Sequence, residues 1–429
     1  MSTHIMVARY VCLLATAFAA EPLTLKQALE QLDRMNPDLA ASRLRSLEAA
    51  ADTQAVRSGF QPQASLALQT AYQTSNLQGI GLVFPGFPSR IGPYRTFNAR
   101  PQVTQAIVDL SLLAKVRATR ARQIQSDLEV KAMKDELAIA VVQIYLQALQ
   151  ARSQEAASEA RLQTAGAILR QTQDKEEAGT GSKLDVARAV EQMERERVIR
   201  IEATRDAQVL ETLLLQTIGR EQIEGGVRLE KPEFPLSIEN EVQRTAQDQR
   251  PDLLAQQAKA KAAGLERRVI DQQRMPKVSA FGDYGLLGAG PDRSIGTYTV
   301  GINLTVPVWT GRRIESEAAA AQARADAETQ RVRSLRIRVQ QEVRQADLEL
   351  RAARESLQAA TRGVAAARES LELARLRFES GLATSVDTQI AQSGLATAED
   401  SRIRNEYEVL LAEARLAKAG GAILSVFVK

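Results

Sequence analysis

The 429-residue sequence has one cysteine and one histidine, Cys12 and His4, and both fall within its first twenty residues. The opening "MSTHIMVARYVCLLATAFAAE" sets Arg9 before an apolar run over residues 10–20, with small side chains at Ala17 and Ala19. That order of charge, apolar run and small residues predicts a signal peptide over residues 1–19, cleaved near Ala19. Tyr10 and Val11, not small residues, precede Cys12, so a lipid anchor is not expected. Cleavage would leave neither thiol nor imidazole. Cysteine nucleophiles, Ser-His-Asp triads, histidine zinc sites and structural disulfides are then excluded together. No paired-acid signature stands out, and no G-x₄-G-K-[ST] occurs to hold a nucleotide. The expectation is a protein that is not an enzyme and uses no cofactor or metal.

Aromatic residues are scarce as well, at 4% of the chain. A length of 429 residues with so few rings argues against several large compact cores. Ala, Leu, Glu, Gln and Arg-rich stretches predict extended helices instead. Beyond the signal there is no run of eighteen apolar residues, hence no transmembrane helix. Strands of about ten alternating residues remain able to cross a bilayer. The net charge of +4 is spread among acidic residues along helices, as in "QRVRSLRIRVQQEVRQADLELRAARES". That pattern describes a solvated helix surface, not a basic patch interleaved with aromatics, and no nucleic-acid partner is expected.

What the sequence does contain is itself, twice. "EEAGTGSKLDVARA", from Glu176, is echoed by "FESGLATSVDTQIA", from Phe378. Gly179 and Gly381 are 202 apart (381 − 179), as are Asp185 and Asp387 (387 − 185). "NPDL" from Asn36 matches "RPDL" from Arg250 at an offset of 214 (251 − 37), which also pairs Pro62 with Pro276. "QAIVDLSL", from Gln105, matches "TVPVWTGR", from Thr305, at 200, so the first copy carries an insert of fourteen (214 − 200) between Pro62 and Gln105. The predicted organisation is a first repeat over residues 20–219, a Gly- and Pro-containing linker over 220–236, and a second repeat over 237–424.

Each copy reads in one order. A helix starts near Leu25 behind a Thr24–Gln27 capping box and runs to about Ser58, stopped by Gly59 and Pro62. Its counterpart covers about 239–273. Strands follow at about 63–74 and 94–108, and at about 277–287 and 295–308. In "IGTYTVGINLTVPVW", Tyr298, Val300, Ile302 and Leu304 share one face while Thr297, Thr299, Gly301 and Asn303 share the other. The strands present no selective constellation, so the cargo stays unnamed. Next come Gly- and Pro-free stretches over 112–165 and 312–362. The second carries a heptad seam: Val339, Val343, Ala346, Leu350, Ala353, Leu357 and on to Phe378. Four strands cannot close a membrane barrel, because an open sheet edge leaves unpaired backbone groups at several kcal/mol each in lipid. Chains must therefore share a barrel, and three would supply twelve strands.

In this order and duplication the chain resembles the TolC-type outer-membrane efflux proteins. "LTLKQALEQLDRMNPDLAA", "VTQAIVDLSLLAKVRA", "AGTGSKLDVARA", "INLTVPVWTGRR" and "SGLATSVDTQIA" carry the resemblance. It implies a mainly α chain with a β membrane portion, a duplicated helix, β-hairpin and long coiled-coil hairpin. It further implies a homotrimer, whose 12-stranded outer-membrane β-barrel continues as a periplasmic α-helical barrel. Such a protein is the exit duct of a tripartite efflux pump or type I secretion system, passive in transport across periplasm and outer membrane. Its implied partners are a periplasmic adaptor, an inner-membrane transporter indirectly, and outer-membrane lipid. Two alternatives fit a secreted, hairpin-bearing chain: a periplasmic adaptor (membrane fusion) protein and a soluble coiled-coil scaffold.

Locally, Ser182 with Asp185 and Thr384 with Asp387 have the spacing of capping boxes. By resemblance, Gly179, Thr180, Gly381 and Leu382 would dock on the adaptor, and Asp185 and Asp387 would also serve the gate. The chain departs from the family at this second tip, with Ala383 where some members have Arg, Phe378 where they have Tyr, and Ile390 where they have a second acid. Lys183 is the candidate positive partner. Trp309, the single Trp, with Tyr72, Tyr94, Tyr284 and Tyr298, is a candidate for membrane-interface aromatic girdles.

Overall fold

In a computed structural model of the chain, the described residues are 21–81, 85–86, 88–220, 227–232, 250–380, 382–421 and 423. The expected signal segment, Gly381, and residues 221–226 and 233–249 lie outside them. The chain divides into two compact units: one of residues 1–40, 133–249 and 339–429, the other of 41–132 and 250–338.

In chain order the elements are β1 (Glu21–Leu23), α1 (Leu25–Met35), α2 (Pro37–Arg57), β2 (Gln63–Asn76), β3 (Arg90–Val108), α3 (Leu110–Glu177) and α4 (Lys183–Ile218). Then come β4 (Val227–Leu229), α5 (Pro251–Asp271), β5 (Lys277–Gly288), β6 (Ser294–Thr305), α6 (Arg313–Glu379) and α7 (Ser385–Ala419). The 68-residue α3 is about 100 Å long at 1.5 Å per residue.

The first unit is helical around one apolar cluster. Leu25, Leu29 and Leu32 of α1 pack with Val141, Val142, Tyr145 and Leu146 of α3. Leu214 and Ile218 of α4, Leu350 of α6 and Leu411 and Leu416 of α7 complete it. The heptad seam faces inward: Val339, Ala346, Leu350, Ala353, Val364 and Leu371 are all buried. The 3.5-residue repeat keeps this seam facing its neighbours, and Ala at alternate seam positions lets the helices approach closely. A two-stranded parallel sheet pairs β1 with β4.

The first helix, expected to run unbroken from Leu25 to about Ser58, is two helices. Asn36 ends α1, and its Oδ1 accepts the Leu39 N–H at 2.9 Å, which caps α2. Pro37 then opens α2 at the position where a missing N–H costs nothing. In the second copy Pro251 likewise opens α5, but the Arg250 side chain makes no cap bond, and Asp252 Oδ1 accepts the Leu253 N–H at 2.8 Å instead.

The second unit holds the four-stranded antiparallel sheet, ordered β2-β3-β5-β6. The two hairpins are joined through β3 and β5, which pair from Phe97–Gly288 to Val108–Val278. The first hairpin is the longer, with strands of 14 and 19 residues against 12 and 12. Residues 75–76 and 90–93, expected in the loop, extend the strands. The last strand, expected to reach 308, stops at Thr305. Pro307 explains the stop, since it has no N–H for a ladder.

Candidate functional site: a two-faced sheet and two helix turns

The register makes the sheet two-sided. Leu68 stands opposite Ala99, Ala99 opposite Leu286, and Leu286 opposite Gly296, so these residues share a face. Strand alternation adds Leu66, Tyr72, Phe97, Val103, Tyr284, Tyr298, Val300, Ile302 and Leu304 to it. The other face carries Ser65, Gln69, Asn98, Arg100, Gln102, Thr104, Asp283, Thr297, Thr299 and Asn303. Leu287, Ile295 and Phe281 are apolar exceptions there. The Phe281 ring lies over Gly301, where an added Cβ would come within 2.8 Å of it. The apolar face is exposed: Leu66, Leu68, Tyr298, Val300, Ile302 and Leu304 all rank among the exposed large hydrophobics.

Tyr94, a girdle candidate, belongs to the polar face. It stands opposite Gln73, and its hydroxyl meets Ser75 at 2.6 Å and accepts from Gln73 at 2.9 Å. Tyr72, Tyr284 and Tyr298 are on the apolar face, the last two directly opposite each other. Trp309 does not end a strand; it follows β6 by four residues and is 81% exposed, next to the equally open Val308.

The polar face, read from sequence as featureless, contains an ion pair. Arg100 of β3 donates through Nη1 to the Asp283 carboxylate of β5 and through Nη2 to Thr297 Oγ1 of β6 at 2.8 Å. Alternation alone puts both residues on the polar side. Their meeting depends on the β3–β5 register, which no single strand encodes.

The two opening motifs are both helix–turn–helix tips. At the first, Gly179 adopts φ +74, and the Thr180 N–H reaches back to the Lys175 carbonyl at 2.9 Å while the Gly179 N–H reaches Glu176 at 3.0 Å. This is a Schellman motif, which needs the left-handed residue that glycine supplies. At the second, the Leu382 N–H bonds the Arg377 carbonyl at 2.8 Å. Both positions are shifted by 202 from the first tip (382 − 180; 377 − 175), so Thr180 and Leu382 occupy equivalent places. Thr180 is exposed, and Leu382 is 81% exposed.

The following helices start differently. Thr384 and Asp387 form a reciprocal capping box: Asp387 Oδ2 accepts the Thr384 N–H at 2.8 Å and its hydroxyl at 2.7 Å, while Thr384 Oγ1 accepts the Asp387 N–H at 3.3 Å. The Thr384 hydroxyl first, then its N–H, holds the Asp387 carboxyl below the usual range. Ser182 accepts the Leu184 N–H at 3.1 Å, and Asp185 lies 3.9 Å from Arg188. At Phe378, where a tyrosine was the family pattern, the ring carries the Lys175 ammonium 4.9 Å from its centroid. This contact ties the end of α3 to the end of α6. Deeper in, Arg161 of α3 bonds Asp400 of α7 at 2.9 Å and lies 3.4 Å from Glu196 of α4.

Residues 27–220 and 242–422 match the sequence profile of a family described as outer membrane efflux protein. The chain belongs to the outer membrane efflux protein family. Family and fold relatives are channel proteins, not enzymes, and the adaptor and scaffold alternatives fall with that match. The outer membrane efflux protein BepC of Brucella suis biovar 1 is 23% identical over 287 residues, 65% of this chain and 62% of BepC. The CmeC outer membrane channel of Campylobacter jejuni has the same fold, with a TM-score of 0.80 at 18% identity over 99% of this chain and 94% of CmeC. A membrane protein from Pseudomonas aeruginosa superposes with a TM-score of 0.81 at 19% identity, over 92% of this chain and 90% of that one. The two solved structures share this chain's fold, which is TolC-like. Among the described residues no helix is long and apolar enough to cross a membrane, a statement about helices that leaves strands open.

Proposed function

We propose that three copies of this chain close one 12-stranded outer-membrane β-barrel, continued into the periplasm by their long helices as an α-helical tube. The observation that carries this reading is the sheet itself. It has four strands, edges at β2 and β6, and an apolar face running across all four. Each edge would leave unpaired N–H and C=O groups in hydrocarbon, and membrane barrels begin at about eight strands. Pairing β6 of one copy with β2 of the next removes every edge, turns the apolar face to lipid and encloses the polar face. Exposed apolar side chains on α4, Val198 and Ile201 and then Val209 and Leu213, with Glu202, Arg205 and Asp206 between the two pairs, are compatible with cover by a second copy.

In this reading the protein is the passive exit duct of a tripartite efflux pump or type I secretion system, of Gram-negative type. The energy comes from an inner-membrane transporter met indirectly through a periplasmic adaptor. Gly179, Thr180, Gly381 and Leu382 are the adaptor contacts; the exposed leucine offers an apolar anchor and Gly179 a tight turn. Asp387 caps its helix and Asp185 lies in the first turn of α4, and both place negative charge at the tunnel mouth. Trp309 and Val308 follow the last strand before the next helix, and in this reading they lie at the periplasmic interface of the outer membrane.

Planar-bilayer recording of the purified, detergent-solubilised protein tests the reading. Discrete conductance steps are expected. Protein that inserts no channels, and whose tips crosslink to no adaptor in cells, would overturn it.

A further inference from the structure

The four strands carry five charged side chains: Arg90, Arg95, Arg100, Lys277 and Asp283. Arg90 and Lys277 begin their strands, and Lys277 pairs with Asp109 at 3.3 Å. Arg95 stands opposite Tyr72 on the apolar face and donates to Thr70 at 3.3 Å. That leaves Arg100 and Asp283 as the charges on the polar face away from the strand ends. They meet each other, with side chains 21% and 16% exposed. Their neighbours at that level, Gln69, Asn98, Gln102, Thr297 and Thr299, are neutral.

We propose that the Arg100–Asp283 pair keeps the middle of the barrel lumen electrically balanced and thereby sets which sign of ion the barrel favours. The inference rests on the barrel reading above, which makes the polar face the lumen. Each chain contributes one cation and one anion, so a symmetric ring carries no net charge at this level. Neutralising one partner would leave three like charges facing a water-filled passage between low-dielectric walls, where fields are focused on permeant ions. At physiological salt the screening length is about 8 Å, so charges on the wall act on ions well inside the lumen. The pair also clamps β3, β5 and β6, but a clamp alone has no effect on ion sign.

Reversal potentials of single channels in a KCl gradient separate the two roles. D283N is expected to shift selectivity several-fold toward chloride and R100Q several-fold toward potassium. The R100Q/D283N double variant breaks the clamp yet keeps neutrality, and is expected to return to the wild-type reversal potential. T299K leaves the pair in place and adds a cation opposite Asp283. It is expected to shift toward chloride, which keeps the inference testable if a single variant fails to assemble. Channels that form normally but keep the wild-type reversal potential in D283N, R100Q and T299K would overturn the inference while leaving the duct intact. Wild-type protein that forms no channel at all would instead overturn the duct, and the inference with it.

Discussion

Tyr72 and Tyr298 occupy the two outermost strands of one sheet, on the same apolar face, each 77% exposed. Two strands separate them, and among the described residues neither has a strand beyond it. A sheet apolar on one side and open at both ends has a place in lipid only when another copy supplies the missing neighbours.

Tyr145 fastens the small parallel sheet to α3. Its hydroxyl lies 2.7 Å from the carbonyls of Leu23 and of Glu230, donating its one proton to either, and it accepts the Glu230 N–H at 3.0 Å. Burial pushes this phenol up to about 12, against the pull of the Glu230 N–H. A folded-state value above the unfolded one means the neutral hydroxyl stabilises the fold below about pH 10 and that contribution is lost as pH rises toward 12. Chemical denaturation between pH 9 and 12 should show that loss in wild type and not in Y145F. At neutral pH Y145F should itself be less stable by about 1–3 kcal/mol, because backbone groups are left unpaired.

Arg152 grips Glu211 with two bonds, Nε to Oε1 at 2.5 Å and Nη2 to Oε2 at 2.7 Å, and reaches Glu155 at 2.7 Å. Glu211 is buried while Arg152 is 39% exposed. Burial raises the Glu155 carboxyl, but the bonds from Arg152 and Thr204 outweigh it and leave the group lowered. R152M should cost about 2–3 kcal/mol in thermal or denaturant unfolding, discounted for the partial exposure of the arginine, since it strands a buried carboxylate. R152M/E211Q should recover part of that loss. Equal losses in both variants would show that the pair contributes no specific coupling.

The second tip separates capping from docking. T384A removes a helix cap and should destabilise the tip by about 1 kcal/mol. The depressed Asp387 carboxyl makes its cap present above the ordinary carboxylate range and lost as pH falls through the depressed value. Hydrogen exchange at the start of α7 should accelerate on acidification in wild type, and the effect should vanish in D387N. L382D leaves the Leu382 backbone bond in place, so assembly should persist while adaptor crosslinking is lost. If D185A and D387A together leave channel opening unchanged, these acids cap helices and nothing more.

Periodicity shows where the local structure was legible. The alternation of Tyr298, Val300, Ile302 and Leu304 and the seam from Val339 to Leu371 follow from side-chain direction in strands and helices, and both appear in the fold. The tip turns were legible because a Schellman glycine and a capping box are short-range devices. Other features arise only between elements. The helix break at Asn36 was hidden by an apolar pattern that continues across it, although Asn-Pro is a local stop. Tyr94 falls on the polar face because a ring's place in a strand depends on its phase, not its chemistry. Arg100 and Asp283 lie 183 residues apart and meet through strand register alone. Lys175 over Phe378 likewise joins two helix ends that sequence lists separately.

The most direct test of the account is the mass of the detergent-purified particle by native mass spectrometry, with β-sheet content followed by circular dichroism. Three chains per particle, dissociating only as the sheet signal is lost, is the predicted result. A single chain that keeps its four strands folded in isolation would contradict it.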